Sequence, residues 1–208
     1  MVLKKGVTYR KAQKSDYSII KEFIRQRDQS GWECENESTA KRLSRMFFYQ
    51  YMIIRDVFLV AVYRDQVVGV IITGNEKNKK FAPLYRLKKW FTLLLLRMTK
   101  EGMANLKILS QIRDMRNELH ENVGGEKDFI LFFYVNKNYS RNGIGTGLLT
   151  HLQETEKNPF WVYADQRDNI AFMEKHGFVK VADTVQMMEV NKRRFRETVA
   201  LYCYGEEC

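Results

Sequence analysis

The sequence predicts an α/β (α+β) protein with a mixed, mostly antiparallel central sheet flanked by helices. Short runs of β-branched and aromatic residues, typical of buried strands, alternate with longer segments whose apolar residues recur every three or four positions, typical of helices. A glycine-rich turn joins the most apolar run to one of the helical segments. The 208 residues, of which 45% are hydrophobic, suit one elaborated domain. We expect a single domain over residues 1–208.

The first third of the chain predicts a strand, two helices and a hairpin. Residues 7–10 have strand character. Side-chain oxygens can cap one helix at Ser15 or Asp16 and a second at Ser38 or Thr39. Two β-branched and aromatic runs then follow, at 57–63 and 67–73, and a short polar link joins them into an antiparallel hairpin.

Residues 74–127 form a predicted helical insertion before the central strand. The first of two helical patterns places on one side Leu84, Leu87, Phe91, Leu94, Leu95 and Met98. We expect this side to pack on the sheet. Lysines near Trp90 and Phe91 leave association with a membrane surface through this helix as a less favoured alternative.

The rest of the chain predicts an alternation of strands and helices. The almost wholly apolar run 129–135 fits a central strand and leads into the glycine-rich turn. The pattern then predicts a helix at 147–156, a strand at 160–164, a helix at 169–176, and strands at 185–190 and 198–204. We expect the last two strands to be joined by a basic loop that contains Lys192, Arg193, Arg194 and Arg196.

The charge balance favours an anionic ligand. Lysine and arginine outnumber aspartate and glutamate by 35 to 25, which gives a net charge of +10. A nucleic-acid-binding protein is therefore an alternative, supported by basic clusters at 77–80, 86–89 and 192–196. No helix-turn-helix, zinc or RNA-stacking signature accompanies these clusters, so we expect no nucleic-acid partner.

The cysteines and the termini point to a cytoplasmic protein. The chain has three cysteines, Cys34, Cys203 and Cys208, with neither CxxC spacing nor a nearby histidine. This pattern predicts no disulfide framework, no metal site and a reducing compartment. The first residues have no apolar run typical of a secretory signal, and no segment reaches the roughly 20 apolar residues that cross a bilayer.

The segment YSRNGIGTGLL, residues 139–149, carries the strongest chemical signal. Glycines let consecutive backbone amides turn towards an anion, and a helix N-terminus adds a partial positive charge. A P-loop would need lysine and then serine or threonine after its last glycine, whereas Leu148 and Leu149 follow Gly147. A dinucleotide fold would place its glycines earlier, in a parallel unit. We expect the loop to bind a phosphate group.

Residues 140–145 resemble the acetyl-CoA loop of the GNAT (GCN5-related N-acetyltransferase) superfamily, written Q/R-x-x-G-x-G/A, with Ser140 at the first position. The segment ADQRDNIAFMEKHGFV, beginning at Ala164, is similar to the family's next motif, VDNERAIALYEKLGF. The two motifs occur in the family's order and cover about residues 129–181. The insertion at 74–127 has no counterpart in this resemblance.

The resemblance implies an N-acetyltransferase that uses acetyl-CoA and no metal. A primary amine of a small molecule or peptide would attack the thioester directly in a ternary complex. The identity of the acceptor and a homodimeric state both remain open.

The resemblance also implies where acetyl-CoA binds. In the family the pantetheine arm bonds to the backbone of the central strand, the pyrophosphate bonds to loop amides, and an asparagine, here Gln166, reaches the arm. The opening would lie between the strands at 129–135 and 160–164. The expected cofactor-binding residues are Phe133, Tyr134, Val135, Arg141, Asn142, Gly143, Ile144, Gly145, Thr146, Gln166 and Asn169.

The catalytic groups are less defined, because Met173 stands where the family usually has the tyrosine that protonates the departing thiolate. Methionine has no proton to give. Tyr134 and Tyr163 are candidate replacements, although both also suit ordinary strand aromatics. A catalytically degraded CoA-binding protein or sensor is therefore an alternative function.

A base is needed for the acceptor ammonium. The candidates are Glu118, His120 and Glu121, shortly before the central strand, where a charged helix is also typical of a solvated face. We expect His176 to cap or pack a helix end and His151 to lie on an exposed helical face.

Overall fold

The computed structural model describes residues 6–28, 36–75, 80–123, 127–156, 159–164, 170–190 and 193–205. The strands are β1 (Val7–Lys11), β2 (Arg55–Tyr63), β3 (Gln66–Gly74), β4 (Asp128–Val135), β5 (Phe160–Ala164), β6 (Val179–Val190) and β7 (Arg193–Tyr204). The helices are α1 (Tyr17–Asp28), α2 (Glu37–Ile54), α3 (Pro83–Arg97), α4 (Lys100–Val123), α5 (Ile144–Thr155) and α6 (Ile170–Lys175).

The strands form one seven-stranded sheet in the order β1-β2-β3-β4-β5-β7-β6. β4 and β5 are parallel, and the other neighbouring strands are antiparallel. The sheet is thus mixed, mostly antiparallel and flanked by helices, which confirms the predicted fold class. Its parallel step lies at the centre, where the glycine-rich turn follows β4.

One face of the sheet is covered by α5 and α6. The buried side chains that these helices and the turn after α6 contribute are Ile144, Leu148, Leu149, Leu152, Met173 and Phe178. A Cβ at Gly147 would overlap the hydroxyl of Tyr9, so only glycine lets α5 lie this close to β1. Close packing fixes the position of the α5 N-terminus at the end of β4.

The opposite face is covered by the other four helices. α1 and α2 pack on β2, β3 and β4 through a core that includes Phe23, Phe48 and Phe132. α4 packs on β6 and β7, where Met115 and Leu119 meet Leu201. α3 lies between α2 and α4, so the helical insertion extends this layer of the fold.

The prediction that the apolar side of α3 packs on the sheet is wrong. Leu84, Leu87 and Met98 are 58%, 62% and 74% exposed, while Thr92 and Leu96 are buried on the other side of the helix. Periodicity identifies an apolar stripe but does not identify its neighbour. None of the described helices is long and apolar enough to cross a membrane.

Three predicted helix starts also need correction. Asn36, rather than Ser38 or Thr39, caps α2, and its side-chain oxygen accepts from the Ser38 amide at 2.8 Å. Gln13, rather than Ser15 or Asp16, is the N-cap of the short 3-10 helix (Lys14–Asp16) that leads into α1, and the Asp16 side chain completes this capping box by accepting from the Gln13 amide at 2.7 Å. α5 begins at residue 144 rather than 147, because Gly143 in the left-handed conformation supplies the cap position directly before Ile144.

Two predictions near the C-terminus are wrong. Arg193, Arg194 and Arg196 lie in β7 and not in a loop, while Lys192 lies outside the described residues. Cys203 is buried and disulfide-bonded, although no disulfide is predicted.

Candidate cofactor-binding and active site

β4 and β5 are joined only where they begin. Asp128 pairs with Phe160 and Phe129 with Trp161, and no further pair joins the two strands along their described lengths. Leu131 is an extra residue in β4, because Ile130 and Phe132 on either side of it pair with consecutive residues of β3. A bulge of this kind bends its strand. β4 therefore separates from β5 and leaves an opening at the centre of the sheet.

The edge of β4 that faces this opening carries main-chain polar groups. Successive residues of a strand present their amide and carbonyl groups to opposite edges, so half of those between Ile130 and Val135 face the opening. Partly buried main-chain groups need hydrogen-bond partners. An extended ligand that contains amides would supply them.

The loop after β4 is held in shape by its own hydrogen bonds. Arg141 and Gly143 have left-handed φ values of +62° and +74°. The Asn142 side-chain nitrogen donates to the carbonyl oxygens of Tyr139 and Ser140, both at 3.1 Å. Short polar side chains therefore fix the turn without help from a ligand.

The N-terminus of α5 is arranged to receive an anion. Its cap residue is Gly143, which offers no side-chain acceptor, so the first-turn amides of Ile144 and Gly145 are not capped by a side chain. Exposed Lys137 and Arg141 add positive charge beside them. Backbone amides, a helix dipole and a left-handed glycine together form an arrangement that suits a phosphate group, and it is called the cradle below.

Phe172 and His176 close the cradle from the side of α6. The His176 Nδ1 lies 2.7 Å from the carbonyl oxygen of Phe172, and Nε2 lies 2.9 Å from the hydroxyl of Thr146. Because a carbonyl oxygen only accepts, Nδ1 donates to Phe172, which leaves Nε2 as the ring nitrogen that can accept from the Thr146 hydroxyl. The Phe172 ring lies 4.1 Å from the His176 ring and 5.6 Å from that of Phe133.

The candidate tyrosines lie on the opposite side of the sheet from α5. Tyr134 belongs to the core under α1, and its hydroxyl donates to the Gln26 side chain at 3.0 Å. Tyr163 packs under α4, and its hydroxyl donates to the carbonyl oxygen of Arg116 at 3.1 Å. The two phenols thus flank the opening, Tyr134 on β4 beneath α1 and Tyr163 on β5 beneath α4.

The environment of Tyr134 favours its protonated form. Burial raises the pKa of this phenol, and the negative charge of Glu22 raises it further. The hydroxyl therefore keeps its proton at neutral pH.

The sequence model of the acetyltransferase (GNAT) family matches residues 22–178, about three quarters of the chain. The chain belongs to this family. The matched region contains the opening between β4 and β5 and the cradle at α5. Members of the GNAT family use acetyl-CoA. A comparison with curated proteins found no significant match to the sequence.

Solved structures show the same fold. An N-acetyltransferase from Staphylococcus aureus Mu50 superposes with a TM-score of 0.56 at 16% identity, over 94% of this chain and 99% of that chain. Arabidopsis thaliana NAA60, in complex with a bisubstrate analogue, gives 0.52 at 14% identity, over 95% and 97%. A GNAT acetyltransferase from Streptococcus pneumoniae gives 0.51 at 13% identity, over 96% and 99%. At these identities the likeness shows the fold alone.

Two departures from the GNAT motifs have a structural explanation. The Ser140 hydroxyl donates to the carbonyl oxygen of Lys137 at 2.8 Å, so it stabilises the turn. Met173 is buried in the core under α6. It packs with the apolar side chains of this face and offers no proton.

The candidate bases lie apart from the cradle. Glu118 and Glu121 are exposed on the last turns of α4, and a Glu118 oxygen lies 3.4 Å from the Thr184 hydroxyl. The His120 ring packs against Phe129, with ring centroids 5.9 Å apart. His151 is half-buried on α5, beside Tyr9. Gln166 and Asn169 lie outside the described residues.

Sequence reasoning missed the role of His176 in the cradle. The sequence held one indication of it: the family motif VDNERAIALYEKLGF has a leucine at this position, whereas this chain has a histidine, which can form hydrogen bonds. Within the described ranges, no group of three His, Cys, Asp or Glu side chains is arranged to hold a metal ion.

Proposed function

We propose that this GNAT chain transfers an acetyl group from acetyl-CoA to a primary amine, and that residues 1–208 work as one acetyltransferase domain. The observation that carries the proposal is the position of the uncapped α5 N-terminus directly after the strand that separates from β5. In acetyl-CoA an amide-bearing arm is followed by a pyrophosphate. In this protein the open edge of β4, which suits the arm, is followed by the cradle, which suits the pyrophosphate.

The residues of the site fit this cofactor. The main chain of Phe133, Tyr134 and Val135 would hold the pantetheine arm. The amides of residues 141–146 would hold the pyrophosphate, with Thr146 positioned by His176. Gln166 and Asn169 are further proposed contacts to the arm. The positive charge of the protein raises the local concentration of the anionic cofactor.

Acetyl-CoA supplies an acyl group activated as a thioester. The protein's main contribution is to hold the amine nitrogen close to the thioester carbon, so that direct attack in a ternary complex forms the C–N bond as the C–S bond breaks. We assign Tyr134 as the group that gives a proton to the departing sulfur. Its raised pKa keeps it protonated, and its partner Gln26 is an exposed side chain that can move aside.

Tyr163 is the alternative donor, and its proton is directed at the main chain of α4. For the proton of the acceptor ammonium, Glu118 and Glu121 are the proposed acceptors. Both are exposed on α4, so they would take the proton through water.

A thiol-release assay tests the function. The purified full chain is mixed with acetyl-CoA and a panel of amines that includes polyamines, amino acids, aminoglycosides and peptides with free N-termini. We expect amine-dependent release of free CoA, with an acetylated product of the matching mass. Binding of acetyl-CoA without release with any amine would contradict catalysis and would favour the CoA-binding sensor, which the loss of the usual tyrosine at Met173 suggests.

A further inference from the structure

The exposed side of α3 is an unusual surface. Phe81, Trp90 and Phe91 are 91%, 61% and 55% exposed. With a rotation of 100° per residue, Trp90 and Phe91 share one stripe of α3 with Leu84, Leu87, Leu94 and Met98, and Phe81 lies two residues before the helix begins. The opposite side of the helix is buried through Thr92 and Leu96. A continuous apolar stripe of this size marks a surface that contacts something other than water.

The stripe is bordered by positive charge on both sides. The same rotation places Arg86 and Arg97 along one flank and Lys88 along the other. The sequence of α3, PLYRLKKWFTLLLLR, contains no acidic residue. An amphipathic helix with aromatic and leucine side chains between cations is the form that lies flat in the interface of an anionic bilayer.

A cationic cluster continues this flank onto the neighbouring helices. Arg45 of α2 and Lys88 of α3 line one open groove of about 920 Å³ together with the apolar Leu84, Leu87 and Phe91. Burial and the nearby charges of Arg45 and Lys88 lower the pKa of Lys21, so the three cations lie close together. Glu37 at the groove is paired with Lys41 at 2.8 Å. Anionic headgroups would relieve this repulsion.

A second copy of the chain is a poorer occupant. A twofold contact through the stripe would bring Arg86, Lys88 and Arg97 of each copy towards the same cations of the other. Like charges brought together at an interface oppose association. Anionic lipid complements the charges, and its acyl chains accept the apolar stripe.

We propose that α3 docks the protein on an anionic membrane surface, with the apolar stripe in the headgroup region and the flanking cations at the phosphates. The 15 residues of α3 lie parallel to the surface in this arrangement. The cradle at α5 lies on the other face of the sheet, so it stays open to cofactor while the protein is docked.

Flotation with lipid vesicles tests the docking surface. The full chain is mixed with vesicles of phosphatidylcholine alone and with vesicles that contain phosphatidylglycerol. We expect flotation with the anionic vesicles and a blue shift of fluorescence that the variant Trp90→Phe loses. The double variant Leu87→Glu and Phe91→Glu should weaken binding at least tenfold, because two apolar side chains that would insert into the headgroup region become charged.

The matched control is the double variant Val185→Glu and Met187→Glu, which places the same two charges on apolar residues of β6 that are 41% and 66% exposed. It should leave flotation unchanged. The substituted side chains of α3 are exposed, so the core is expected to stay intact, and thermal unfolding verifies that each variant is folded. The double variant Arg86→Gln and Arg97→Gln should weaken binding about 30-fold, because the loss of each cation weakens it about fivefold.

Three outcomes would overturn the proposal. The first is no flotation with anionic vesicles, and the second is equal flotation with neutral ones. In the third, the chain is a dimer in solution that Leu87→Glu converts to a monomer, which would assign the stripe to a second copy. All three readouts are independent of acetyl transfer, so failure here leaves the proposed enzyme function untouched.

Discussion

The His176 imidazole and the Thr146 hydroxyl, 2.9 Å apart, join the end of α6 to the first turn of α5. The bond connects the two helices that cover one face of the sheet, at the point where the cradle opens. It fixes the Thr146 hydroxyl beside the amides proposed to hold the pyrophosphate. Positioning by His176 therefore links the second motif of the family to the first.

Loss of this bond should weaken the cofactor site. We expect His176→Ala to raise the Kd for acetyl-CoA about two- to tenfold, the range for one neutral hydrogen bond. Calorimetric titration measures it. The control is His151→Ala, which removes the other histidine of the region from the far end of α5. Equal effects of the two variants would show that His176 has no specific role.

Tyr134→Phe should slow the chemical step and leave the KM for acetyl-CoA nearly unchanged. The variant keeps the ring, which packs against Phe23, and removes only the hydroxyl that we propose as the proton donor. We expect kcat to fall about 10²-fold, the lower range for general acid catalysis. Because the pKa of Tyr134 is raised above its ordinary value of 10.0, deprotonation of this phenol should lower the wild-type rate only above about pH 10.

Tyr163→Phe is the matched comparison, since it makes the same chemical change on β5. A small effect is expected, because its hydroxyl is bonded to the main chain of α4. If Tyr163→Phe is the variant that lowers kcat, the assignment of the proton donor moves from β4 to β5.

Asp16→Asn should destabilise the fold in a pH-dependent way. Asp16 is buried and accepts from both terminal nitrogens of Arg10, at 2.7 and 3.0 Å, and from the Gln13 amide at 2.7 Å. These bonds, that to Arg10 first, hold the pKa of Asp16 below its ordinary value. Since Arg10 is one third exposed and water screens the pair, we expect a loss of about 1–2 kcal/mol at pH 7.

The sign of the pH effect follows from the lowered pKa. The carboxylate stabilises the folded state fully above the unfolded pKa, near pH 4, and this contribution disappears as the pH falls through the folded pKa. Denaturant unfolding at several pH values should therefore show the wild type and Asp16→Asn converging below about pH 4. A constant difference in the free energy of unfolding down to pH 2 would contradict the account.

The sequence signals for the proposed cofactor site are local. The apolar run of β4, the glycines at 143 and 145 and the second motif each depend on a few adjacent residues. Helix α5 starts earlier than predicted, since glycines have low helix propensity but serve well at a cap. β6 and β7 are longer than predicted, because polar side chains such as Lys180 and Asp183 on the exposed face hide the strand pattern.

Features that depend on tertiary contacts could not be predicted. The spacing of Leu84, Leu87 and Phe91 shows an apolar stripe. Only the fold shows that this stripe is exposed and that α3 packs through the side that carries Thr92. The bulge at Leu131 shifts the alternation of β4, so the side to which Tyr134 projects does not follow from counting residues. The bond between His176 and Thr146 joins residues 30 positions apart.

Titration of the full chain with acetyl-CoA tests the central claim most directly, with Gly143→Ala and Gly6→Ala as a matched pair. Both glycines have positive φ, +74° and +86°, so both substitutions impose similar backbone strain, but only Gly143 lies at the cradle. We predict micromolar binding by the wild type, binding by Gly6→Ala unchanged, and at least about tenfold weaker binding by Gly143→Ala. No binding by the folded wild type, or an equal effect of the two variants, would contradict a cofactor site at the α5 N-terminus.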